Sequence, residues 1–247
     1  MRFTVMLVSV LMVFAGTSSA EWLYAVDGDY LYSVDPYDGS WTSLSSTWSG
    51  AELLTSCKGY LYAIQGDVLY LADPETGEWE SLTSSWQGSS ALTAGEDFLY
   101  ACQDGMIYQA DPYDGGWESV PGEYYGTQLL AWAGGALIVL QNDMLYRTDP
   151  FTGDFAELPS SYAGTTAMAG SGDELFVVQG DVLYRVDPYS GDFVDLGGGY
   201  SGVTEMAVAN GYIYTIWEGT LWKTDPESGD FQSLTDGWGA TTAFCSL

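Results

Sequence analysis

Six large aromatic side chains recur at one spacing: Trp48, Trp86, Tyr124, Tyr162, Tyr200 and Trp238, each 38 positions after the last. Each is followed after one residue by Gly50, Gly88, Gly126, Gly164, Gly202 or Ala240. A second recurring position holds Asp27, Gln65, Gln103, Gln141, Gln179 and Trp217. Flat aromatic faces stack on the C–H surfaces of sugars, and amide or carboxylate groups fix hydroxyls, so these twelve residues are the candidate ligand-binding set. The competing explanation is that the aromatics wedge between neighbouring elements and the glycines admit them.

Other chemistry is thinly supported. The chain has no His, which removes Ser-His-Asp and His-assisted Cys catalysis and His metal sites. No phosphate-cradling glycine loop is present. Carboxylates are abundant, so a hydrolase or lyase using a carboxylate pair is the third reading, but no pair stands out by position. No cofactor and no metal site is expected. Six further acids, Asp38, Glu78, Asp114, Asp154, Asp192 and Asp230, accompany six Asp-Pro pairs, yet turn chemistry accounts for that pattern without calcium.

The elements that position these residues follow from the repeat. Asp-Pro occurs at Asp35, Asp73, Asp111, Asp149, Asp187 and Asp225, and Gly returns four places later at Gly39, Gly77, Gly115, Gly153, Gly191 and Gly229. Six units without insertion or deletion decide the fold before local propensity does. Each unit reads as four short strands bounded by turn residues: 51–56, 60–64, 68–72 and 78–82 in the second. Pro at the second turn position presets φ, Asp bonds the turn backbone, and Gly takes the left-handed position. Core columns are read at Leu31, Leu69, Ile107, Leu145, Leu183 and Leu221, at Tyr32, Tyr70, Tyr108, Tyr146, Tyr184 and Trp222, and at Trp41, Trp79, Trp117, Phe155, Phe193 and Phe231.

Four strands in each of six units predict an all-β, six-bladed β-propeller. The ends are complementary: 21–22 lead into the second strand of a unit, and 241–247 align with a first strand. The C-terminal strand is therefore expected to join the N-terminal blade and close the ring, which removes exposed sheet edges. In such a blade the second-to-third hairpin and the blade-to-blade connector share one face, which brings the twelve candidate residues to one side.

The unit Leu183-Tyr184-Arg185-Val186-Asp187-Pro188-Tyr189-Ser190-Gly191-Asp192-Phe193 resembles units of kelch-like and quinoprotein-like propellers. Leu23-Tyr24-Ala25-Val26 is similar to blades of tachylectin-type lectins. The resemblance spans 21–247 and implies the architecture; it carries no site residues. The double Gly of kelch units and the WD40 signature are absent.

Residues 1–20 read differently. Met1-Arg2 is a short basic start, Phe3 to Gly16 is apolar, and Thr17-Ser18-Ser19-Ala20 offers small residues before a cleavage point after Ala20. This predicts a signal peptide and a secreted or periplasmic protein, with 21–247 as the propeller domain and no transmembrane segment in it. With 34 acidic against 5 basic residues and net charge −29, the chain would repel phosphate backbones, so nucleic acid is not an expected partner. Cys57, Cys102 and Cys245 allow at most one disulfide, match no metal spacing, and read as small buried residues.

The combined expectation is a secreted, monomeric, non-catalytic binding module for glycans, lectin-like, using the connector face. The alternative is a platform for an extracellular protein. Symmetry breaks near one joint, where Trp217-Glu218 replaces the Gln-Gly turn, Asp27 replaces Gln, and Glu205 interrupts a column of Leu53, Ala91, Leu129, Ala167 and Ala243. A single specialised site would sit there, near Trp238.

Overall fold

A computed structural model describes residues 21–247. The signal-peptide reading of 1–20 lies outside the described residues. The described chain forms six antiparallel four-stranded sheets arranged as a six-bladed β-propeller. No helix long and apolar enough to cross a membrane occurs among the described residues.

The first blade contains β1 (Leu23–Asp27), β2 (Tyr30–Val34) and β3 (Trp41–Ser46), and the second contains β4 (Ala51–Cys57), β5 (Tyr60–Gln65), β6 (Val68–Ala72) and β7 (Trp79–Ser84). The missing innermost strand of the first blade is Thr241–Ser246 from the C-terminus, paired antiparallel with β1 from Leu23↔Ser246 to Asp27↔Thr241. Trp22 and Leu247 extend the pairing with two reciprocal backbone hydrogen bonds of 2.7 and 2.9 Å. Closure by the C-terminal strand is thus as expected. The innermost strands of blades two to six are β4, Ser89–Ala94, Thr127–Ala133, Thr165–Ser171 and Glu205–Ala209. Together with Thr241–Ser246 each packs against the next around the axis, so the ring has no open joint.

The Asp-Pro turns form as their residues dictate. Asp35 accepts the Tyr37 N–H on its side chain at 2.7 Å and the Gly39 N–H on its carbonyl at 2.9 Å. Gly77 shows why no other residue serves: its φ is +69°, and an added Cβ would stand 2.7 Å from the Leu44 side chain of the preceding blade. The turn of one blade therefore seats against the outermost strand of its neighbour.

The core lies between blades. The column from Leu31 to Leu221 is fully buried, and Tyr62, Tyr100, Tyr214 and Phe176 fill the interblade layers. The third expected core column is not core. Trp41, Trp79, Trp117, Phe155, Phe193 and Phe231 are between 41% and 69% exposed. They open the outermost strand of each blade, whose far edge meets solvent. Each is held edge-on by the half-buried aromatic of the adjacent strand, as in Tyr70–Trp79 (5.1 Å, 88°) and Tyr184–Phe193 (5.6 Å, 90°). The three cysteines are buried and unbridged.

Candidate functional site: rim grooves beside the Asp-Pro turns

The connector and the second-to-third hairpin do share a face, and their residues meet, but they meet inside. Trp48, Trp86, Tyr124, Tyr162, Tyr200 and Trp238 are each no more than 5% exposed. Their rings wedge between consecutive blades, so none presents a face to solvent. Trp48 donates its indole N–H to Ser45 Oγ at 2.8 Å, and Tyr124 donates its hydroxyl to the Pro121 carbonyl at 2.9 Å. Tyr200 shares a hydrogen bond with Thr224 at 3.1 Å.

The amides hold this wedge in place. Gln65 Nε2 donates to the carbonyls of Thr47 (3.2 Å) and Ser49 (2.6 Å), the residues on either side of Trp48. Gln103 does the same with Ser85 and Gln87, Gln141 with Glu123 and Tyr125, and Gln179 with Ser161 and Ala163. Asp27 plays the part at the closing joint, accepting from the Ala240 N–H and the Thr241 hydroxyl, both at 3.0 Å. These groups are committed to the connector backbone.

The symmetry break is divided between two joints. Asp27 and Trp238 lie together beside a hollow of about 60 Å³, smaller than a sugar ring requires. Trp217 faces the other way. It stacks on Trp222 at 4.4 Å and 13°, and packs toward Tyr200 of the fifth-to-sixth connector.

The structure assembles a different set on the outer rim, beside the Asp-Pro turns. In the sixth blade a groove of about 290 Å³ is lined by Tyr212, Lys223, Asp225, Asp230, Phe231 and Gln232. In the fifth, Glu174, Arg185, Asp187, Asp192 and Phe193 line one of about 280 Å³. In the third, Phe98, Gln109, Asp111, Trp117 and Glu118 line one of about 220 Å³. These are the same repeat positions, 38 residues apart or multiples of it. Every groove sets an exposed aromatic ring beside carboxylates. Four turn residues following Pro, Tyr37, Tyr113, Phe151 and Tyr189, add rings more than half exposed on the same side.

Two of the groove acids, Asp187 and Asp225, are poor proton donors. Backbone N–H groups of Tyr189 and Ser190 hold the Asp187 carboxyl below its usual range, and those of Glu227 and Ser228 do so for Asp225. The basic side chains reach across to the next blade. Arg185 pairs with Glu227 at 2.6 Å and with Glu174 of its own blade at 3.4 Å. Arg147 lies 4.9 Å over the Tyr189 ring, and Lys223 Nζ lies 3.9 Å over Tyr212 and 5.4 Å from Tyr37. Two of these three basic residues, Arg147 and Lys223, are therefore met by aromatic faces. Among the described residues no three acids or cysteines converge as a metal centre would.

The Trp41-to-Phe231 column was visible in the sequence as a repeat, but its exposure was not. No protein-family model and no curated protein matches the chain.

Proposed function

We propose that this propeller is an exported, non-catalytic binding module and that its ligand class is carbohydrate, held in the rim grooves. The observation that carries the reading is the threefold recurrence of one groove, with Trp117, Phe193 or Phe231 beside Asp111, Asp187 or Asp225. An exposed ring offers a stacking face to a pyranose, and the adjacent carboxylates accept its hydroxyl protons. Volumes of 220 to 290 Å³ suit one sugar ring at each groove. Repetition on one rigid ring gains affinity for multivalent glycans by raising effective concentration. A catalytic role lacks support from Asp187 and Asp225, since turn-bound carboxylates with lowered pKa do not act readily as general acids near neutral pH.

The acidic surface, with the exposed rings Tyr37, Tyr113, Phe151 and Tyr189, favours a second reading: docking of a basic extracellular protein. A glycan-array screen of residues 21–247 beside a Trp117→Ala, Phe193→Ala, Phe231→Ala variant separates the two. Glycan binding that is lost in the folded variant and insensitive to salt supports the lectin-like reading. Absence of binding to every glycan removes it, and salt-sensitive capture of a basic protein puts the second in its place.

A further inference from the structure

The innermost strands of the six blades enclose a channel of about 300 Å³ on the ring axis. Each of these strands is paired on one side only within its sheet, so its other edge turns toward the axis and offers backbone N–H and C=O groups. Some are bridged between neighbouring strands, as where Ser56 Oγ donates to the Ser246 carbonyl at 2.6 Å and Thr242 Oγ1 to the Ala51 carbonyl at 2.7 Å. One encircling position is wholly apolar: Leu54, Leu92, Leu130, Met168, Met206 and Phe244.

The preceding position is not. It holds Leu53, Ala91, Leu129, Ala167 and Ala243 in five blades and Glu205 in the sixth. Glu205 lines the channel, and burial among these walls pushes its carboxyl up to about 7. Among the described residues its side chain makes no ion pair: Lys58 is bound to Asp97 and Arg185 to Glu174 and Glu227. Arg147 and Lys223 lie over tyrosines at the rim. The other titratable groups along the channel are Glu52 at its exposed wall and the buried Cys245 thiol, neither of them a cation.

We propose that the central channel is a second binding site, that its ligand is a small organic cation bearing a primary ammonium on a short apolar body, and that Glu205 pairs with the ammonium. A carboxylate largely withdrawn from water without a counter-charge is costly, and an ammonium supplies both the charge and N–H donors for the exposed strand carbonyls. The apolar ring from Leu54 to Phe244 takes the hydrocarbon part. A divalent metal would want several carboxylate oxygens, and Glu205 is alone at its level of the column. A quaternary ammonium would bring no donors to the carbonyls.

The test is calorimetric titration with n-butylammonium chloride at ionic strength held constant with sodium chloride. It uses the unmodified protein, Glu205→Gln, Glu205→Ala and Glu52→Gln. Alanine already stands at this position in three blades, so the Ala variant keeps the channel wall intact. Saturable binding is expected at about pH 8, weaker at about pH 6 as the carboxyl protonates. Both Glu205 variants should bind about tenfold more weakly or not at all, and Glu52→Gln should match the unmodified protein. Neutral n-butanol should bind all four alike and weakly. Binding unchanged in the folded Glu205 variants, no saturable binding to the unmodified protein, or an equal response to sodium chloride alone would each overturn the proposal. None of these outcomes depends on the rim grooves, so the glycan reading stands or falls separately.

Discussion

The Tyr214 hydroxyl donates a 2.8 Å hydrogen bond to the Pro36 carbonyl, joining the sixth blade to the Asp-Pro turn of the first across the closing joint. Tyr62 makes the same bond to Pro112 at 2.9 Å between the second and third blades. Both tyrosines are fully buried. Removing the Tyr62 hydroxyl takes away the Pro112 carbonyl's partner, and removing the Tyr214 hydroxyl leaves Pro36 only a long 3.4 Å bond from Lys223 Nζ, so Tyr62→Phe and Tyr214→Phe should each cost about 1–3 kcal/mol. Urea denaturation checks this. Equal losses would show that the closing joint is held like the others; a loss confined to Tyr214→Phe would mark it as the weak one.

Trp86 and Trp117 sit in the same neighbourhood with rings 6.4 Å apart, yet their removal should have opposite signatures. Trp86 is 2% exposed, and Trp86→Ala should cost about 3–5 kcal/mol by opening a cavity between blades. Trp117 is half exposed, and Trp117→Ala should leave the thermal midpoint within a few degrees while weakening glycan binding at the third-blade groove. Paired calorimetry and glycan titration read the two effects.

The hairpin amides should matter to stability and not to ligand. Gln103→Ala deletes two bonds to the carbonyls flanking Trp86, at 2.9 and 2.7 Å. The site is partly solvated, so the expected cost is about 1 kcal/mol, with glycan affinity unchanged. A glycan-binding defect in the folded variant would return the connector face to consideration.

Stability should fall on both sides of an acidic optimum. Glu205 has its folded pKa raised from 4.5 to about 7 by burial. Its contribution is therefore fully present below the unfolded value and lost as pH rises toward 7. Replacing it by alanine should flatten that limb, stabilising the protein at neutral pH by about 2 kcal/mol relative to acid pH, with the partial solvent contact of the side chain discounted. Asp73, Asp149, Asp187 and Asp225 act in the opposite sense. Turn N–H groups lower their pKa, so their contribution is present above the ordinary carboxyl range and lost as pH falls through it. Thermal midpoints across pH should peak near about pH 5 in the parent and shift upward in Glu205→Ala.

What the sequence made legible was whatever is local or repeated. Asp35 to Gly39 declares its turn in five residues, because Pro, Asp and Gly each act on their own backbone. Ring closure was readable because 21–27 and 241–246 are complementary pieces of one unit. The sequence did not distinguish the two aromatic columns. Trp79 and Trp86 are seven residues apart, equally large and equally periodic. One opens an outermost strand whose edge meets water, and the other sits in a connector swallowed by the next blade. That difference arises only when blades are set side by side, so a pattern within one unit does not carry it. Glu205 was readable as a broken column, whereas its isolation from every cation depended on where four distant basic residues came to rest.

The seam between Leu23–Asp27 and Thr241–Ser246 also has a mechanical meaning. The two strands run antiparallel, and Trp22 and Leu247 lie at the same end of the pair. A load applied through these two residues pulls across the strands and takes the ladder bonds one after another, like a zipper. A load applied through opposite ends of a blade would strain them all at once. The protein should therefore open at low force when tugged at Trp22 and Leu247, peeling the C-terminal strand from the first blade while the other five blades are still folded.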